Sequence, residues 1–143
     1  MSSNDPYTAC QCLIAAFAHY VDSRQPERAA QLFTEDATFE RKGEVLRGQS
    51  EILAAQRARP SGGVVRHVCA APHLEMVDAS HMRGVTYFQI YRGSGDGQSV
   101  LPMTEPEVLG QFEDEFVLTL QGWRIRSRRA RGVFRKVALE SAR

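Results

Sequence analysis

The chain has 143 residues, 43% of them apolar and 24% charged, with a formal net charge of +1. That length suits one domain with a real core, and the balance is that of a globular protein rather than a disordered or fibrous one. No apolar run approaches the roughly 18 residues that a membrane-spanning helix needs, and the opening MSSNDPYTA carries neither the basic nor the apolar segment of a secretory leader.

In chain order, residues 7–23 read as a helix, because Cys10, Leu13, Ile14, Phe17, Tyr20 and Val21 fall on one stripe. It closes in HYVDS, where Asp22 meets the partial negative charge of a helix C-terminus, an unfavourable place for an acid. Pro26 suits the first position of a second helix, PERAAQLF, with Glu27 favourable in its first turn. TEDATFER follows as a turn into a short strand. GEVLRGQSEILAAQRARP holds a third helix, capped by Ser50 and ended before Pro60.

The rest is strand-like. VVRHVCAAPHLEMV and MRGVTYFQIYR, joined by DASH, form an antiparallel hairpin with Pro72 at a bulge or bend. That register sets Arg92 across from His67. Residues 93–107 are a long Gly/Ser/Pro-rich loop, of a length often functional. LGQFEDEFVLTL and WRIRSRRARGVFRK flank Gln121-Gly122, a two-residue turn. With Leu120 facing Trp123, Leu118 meets Ile125, Phe116 meets Ser127, and Asp114 meets Arg129 on one face. An Asp114–Arg129 pair beside an apolar surface serves either as structural glue or as the polar end of a cavity.

Cys10, Cys12 and Cys69 are a sparse, odd set that fits reduced thiols in a cytoplasm, and Cys10-x-Cys12 has no further ligands at metal-site spacing. Seven basic residues and no acid lie between Arg124 and Lys136. Such a stretch can grip phosphate, but these arginines alternate with apolar residues beside an acidic strand, so neither nucleic acid nor membrane is expected as a partner.

AFAHYVDSRQPERAAQLFTEDATFE with LRGQSEI, then VVRHV, then GQFEDEF with GWRI, resemble in order and spacing the SnoaL-like group of the nuclear transport factor 2-like (cystatin-like) superfamily. The resemblance covers roughly residues 7–135. It implies an α+β fold, a cone-shaped curved antiparallel β-sheet wrapped around three N-terminal helices, in one domain with tails at 1–6 and 136–143. It also implies a homodimer through the sheet and a cavity for a small, largely apolar molecule. Its relatives include polyketide cyclases, scytalone dehydratase and ketosteroid isomerase beside non-catalytic binding subunits, so the fold alone leaves function open.

The dehydratase-like pattern places its acid at Asp22 and its histidine at His67. This implies a cofactor-independent lyase or isomerase in which His67 is general acid/base and Asp22 its orienting partner. The alternative is a ligand-binding or dimerisation module of the same fold. The chain departs from the pattern where Val21, Glu40 and Arg92 stand in place of an aromatic, a tyrosine and a second histidine. Tyr20, Phe39, Tyr87, Arg92, Phe112, Asp114, Phe116 and Trp123 are the expected ligand-facing residues. Helical phase leaves Asp22 off the centre of the Phe17 stripe, and His19, three residues earlier, competes with His67 for its carboxylate.

Overall fold

The computed structural model describes residues 5–103 and 105–137; most of the two expected tails lies outside the described residues. Three helices come first: α1 (Pro6–Asp22), α2 (Pro26–Gln31) and, after the strands β1 (Phe33–Arg41) and β2 (Glu44–Arg47), α3 (Gly48–Arg57). Five strands complete the chain: β3 (Val64–Cys69), β4 (His73–Asp78), β5 (His81–Gly93), β6 (Val108–Thr119) and β7 (Gly122–Arg135).

These strands make one curved, unclosed sheet in the order β2-β1-β7-β6-β5-β3, with β4 also on β5. It is mixed rather than wholly antiparallel, because β1 runs parallel to β7. Asp5 caps α1, accepting the Tyr7 and Thr8 backbone N–H groups. The helix then lays Cys10, Leu13, Ile14, Phe17 and Val21 onto the concave face, against Phe33, Phe39, Phe112, Phe116 and Ile125. Phe17 meets the rings of Phe33, Phe39 and Phe112 edge-on. α3 starts at Gly48 rather than at a Ser50 cap, and Glu51 reaches back to accept the Arg47 backbone N–H.

Both expected hairpin registers are corrected. The first expected strand is two, β3 and β4, divided at 70–72 beside Pro72, and each pairs with its own half of β5. That break and a bulge between Met76 and Asp78 each slip the register by one, so His67 faces Ile90, and Arg92 faces Val65. In the second hairpin the turn centres on Leu120-Gln121, closed by Thr119 and Gly122, with Gly122 at φ 101°. Leu118 therefore meets Trp123, and Phe116 meets Ile125. A bulge then lets Arg126 pass unpaired, and Asp114 meets Arg128 instead of Arg129.

Candidate active site

The last turn of α1 is fastened to the connection between α3 and β3. Ser23 donates both N–H and Oγ–H to the His19 carbonyl, and Arg24, at φ 57°, turns the chain away. Arg24 donates to the carbonyls of Pro60 and Gly62, while Arg59 donates to that of Val21. This latching brings β3 beside the helix end. β3 is an edge strand, so alternate backbone N–H groups face away from the sheet. Asp22 takes one of them: its Oδ2 accepts the His67 N–H at 2.7 Å, and its Oδ1 lies 2.6 Å from His67 Nδ1. The two side chains are only 9% and 12% exposed. With Nδ1 turned to the carboxylate as donor, Nε2 is left as a proton acceptor.

Of the two histidines, Asp22 therefore faces His67. His19 is exposed, its ring beside Tyr20. His67 lines a cavity of about 700 Å³ on the concave side of the sheet, with Phe17, Phe39, Phe88, Ile90 and Phe112 among its apolar walls. Asp22 borders a separate outer cleft shared with Ala15, Ala18 and Cys69. The imidazole thus stands between its carboxylate and the cavity.

The expected ligand-facing residues divide. Phe39, Phe112 and Arg92 line the cavity. Tyr20 is displaced to a shallow pocket beside α2, under the Arg28 guanidinium. Tyr87, 61% exposed, projects from the convex face, because it falls between the inward residues Thr86 and Phe88. Phe116 and Trp123 are core. Asp114 is buried away from the cavity in a two-point ion pair, accepting from Arg128 Nε at 2.7 Å and Nη2 at 2.9 Å. The Arg128 guanidinium carbon lies 3.8 Å from the Phe112 ring centre and 4.6 Å from that of Phe17. The pair is glue beneath the aromatic floor rather than a ligand group.

Sequence reasoning missed Lys42 and Arg59, both at the cavity mouth. Partial burial and the guanidinium groups of Arg41 and Arg92 hold Lys42 below the ordinary lysine range. Burial first, then Arg24 and Arg92, likewise lowers Arg59, while the Asp22 carboxylate opposes that shift. Lys42 sits in the β1–β2 turn and Arg59 just past α3, positions whose convergence only the fold reveals. Phe88 and Ile90 carried a usable signal, the inward parity of β5.

The topology is that of the nuclear transport factor 2-like, cystatin-like α+β proteins. The model of the SnoaL-like domain matches residues 5–129, and the chain belongs to that family. Among solved structures, a protein of unknown function from Mycobacterium tuberculosis is 24% identical (TM-score 0.75), over 95% of this chain and 80% of that one. A proposed scytalone dehydratase from Novosphingobium aromaticivorans is 15% identical (TM-score 0.77), over 94% and 89%. The hexachlorocyclohexane dehydrochlorinase LinA-type3 from Novosphingobium barchaimii is 21% identical (TM-score 0.75), over 90% and 87%. No curated protein matches the chain in sequence.

Proposed function

We propose that this protein is a cofactor-independent lyase or isomerase acting on a small, largely apolar molecule, with Asp22 and His67 as its acid–base pair. The observation that carries this reading is the 2.6 Å contact between Asp22 Oδ1 and His67 Nδ1 at the wall of an aromatic-lined cavity. Asp22 holds one tautomer, so Nε2 receives a proton from a carbon beside an electron-withdrawing group. The carboxylate then stabilises the imidazolium. In an elimination the C–H electron pair becomes the new double bond, and the leaving group departs from the adjacent carbon with its own pair. In an isomerisation the imidazolium returns the proton to a different carbon. Structural relatives that include a dehydrochlorinase and a proposed dehydratase support this class of chemistry.

The cavity is within the range of small-molecule sites, on the order of 300–1,000 Å³, and its floor of phenylalanines favours rings over extended polar chains. In this reading the enzyme works as a homodimer in a reducing cytoplasm, with Cys10, Cys12 and Cys69 as free thiols. Exposed Val68 and Tyr87 on the convex sheet face supply apolar surface for pairing with a second copy.

The test is a panel of ring-bearing ketones, β-hydroxy ketones and halogenated rings, followed for C–H exchange in D2O and for elimination. His67→Ala should lower turnover of any hit by about 10²-fold or more. Unchanged turnover would assign the base elsewhere. Saturable binding without exchange or elimination across the panel would favour the ligand-binding module.

A further inference from the structure

The cavity is not apolar throughout. Seven cationic side chains line it against two carboxylates. Part of that excess is internally compensated: Arg92 Nε donates to Glu107 at 2.9 Å, and Arg129 lies within 4 Å of both Glu40 and Glu113. Arg131 approaches Glu113 at 3.5 Å, and Arg41 Nη2 approaches Glu44 at 3.6 Å. Among the described residues, no carboxylate stands within 4.0 Å of the side-chain nitrogens of Lys42, Arg59 or Arg135.

Arg41, Lys42, Arg59 and Arg92 form one mutually repelling group at the mouth. Such a group is held together against its own repulsion, the more so where walls of low dielectric reduce screening. Two local features make it more than scattered surface charge. Lys42 sits at φ 50° in the tight turn between β1 and β2, followed by Gly43 at φ 76°. The first central position of such a turn favours Asn, Asp or Gly, so a lysine there is held in a sparsely populated conformation. Arg41 Nε is buried and has no hydrogen-bond partner, an unmet donor within the same group.

Resting on the acid–base reading above, we infer that the ligand is an amphipathic organic anion. Its ring-bearing body sits over Phe17, Phe39, Phe88 and Phe112, and its carboxylate is held at the mouth by Lys42 and Arg59. Arg59 ties the two ends of the site together, because the same guanidinium that faces the mouth donates to Val21, the residue before Asp22. An anion anchored there leaves the apolar body directed inward, toward His67.

The test compares two probes of one ring skeleton, 2-naphthoate and 2-naphthylmethanol, by calorimetric titration of the full chain at low salt. The carboxylate should bind one per chain and about tenfold or more tighter than the alcohol, the scale of a hydrogen bond to a charged group. Added salt should shrink that preference. Lys42→Gln and Arg59→Gln should each reduce carboxylate affinity by about tenfold while leaving the alcohol unchanged. Arg59→Lys, which keeps the charge, should retain most of the preference, separating charge from any loss of the Val21 contact. Equal affinity for the two probes, no binding of the carboxylate at millimolar concentration, or a preference that survives the Lys42→Gln/Arg59→Gln double variant would overturn the inference. Because the preference is read by binding alone, its failure is distinct from that of the acid–base reading. Carboxylate preference without His67-dependent turnover sinks only the latter; His67-dependent turnover without the preference sinks only the anion collar.

Discussion

Asp22 grips His67 at two points, one backbone and one side chain, through its two carboxylate oxygens. The arrangement couples stability to chemistry. Asp22→Ala should leave the His67 N–H without a partner and cost about 1–3 kcal/mol, nearer the low end because the site is only part-buried. Asp22→Asn can still accept the backbone N–H but offers the ring no charge. It should melt closer to the parent while turnover falls by about 10²-fold or more. Thermal melts of both variants beside turnover of a panel hit check this, and identical melting of all three proteins would contradict the two-point grip.

The Asp114–Arg128 pair is fully enclosed, so its two partners stand or fall together. Asp114→Ala should destabilise by about 3–5 kcal/mol, because it strands a buried guanidinium. The double change Asp114→Leu with Arg128→Met should recover much of that loss, since two apolar side chains of similar bulk need no desolvation. Urea denaturation of single and double variants measures the coupling directly. Additive losses would show that the pair is not an energetic unit.

What the sequence made legible was periodic. The α1 stripe and the proline that opens α2 required only spacing and type, whereas the pairing of Asp22 with His67 came from the family resemblance. The registers were not legible, because nothing in the residues announces the bulge at Arg126 or the slip beside Met76. The turn moved the register by two residues and the bulge restored one, so Arg128 replaced Arg129 as partner of Asp114, although the expectation of an inward ion pair on that face was sound. Asp22 looked off-phase because a helical wheel counts only packing faces. It does not represent an edge strand whose backbone N–H lies beside the last turn. Lys42 was equally hidden, since its role depends on a turn bringing it beside Arg59 from another part of the chain.

The three thiols should differ sharply in reactivity. Cys12 is exposed, whereas Cys10 is buried and Cys69 half-buried. Burial, reinforced by Asp114 and Asp5, pushes the Cys10 thiol up to about 12; burial likewise raises Cys69. At pH 8 an aromatic disulfide reagent should therefore modify Cys12 first and Cys10 only on unfolding. The linkage sign follows from the same shift. The unfolded thiol ionises near 9.0 and the folded one near 12, so stability is full below pH 9 and declines as pH rises between those values. Cys10→Ala should flatten that decline in melts taken from pH 8 to 11. An equally steep decline would exclude Cys10 as its source.

Gly110 is the sharpest steric constraint beside the cavity. It faces Phe88 across the β5–β6 ladder, and a Cβ there would lie 2.5 Å from the Arg131 carbonyl oxygen and 2.7 Å from Phe88 Cζ. The Phe88 ring occupies the space a side chain would fill and stacks on Phe112 at 4.4 Å between ring centres. Gly110→Ala must move β7 or push Phe88 into the cavity. It should cost about 1–3 kcal/mol, the usual range for overpacking a close contact. Binding of 2-naphthylmethanol should weaken in parallel, because its expected seat includes Phe88. A variant as stable as the parent with unchanged affinity for the neutral probe would mean that β7 yields and the aromatic wall does not.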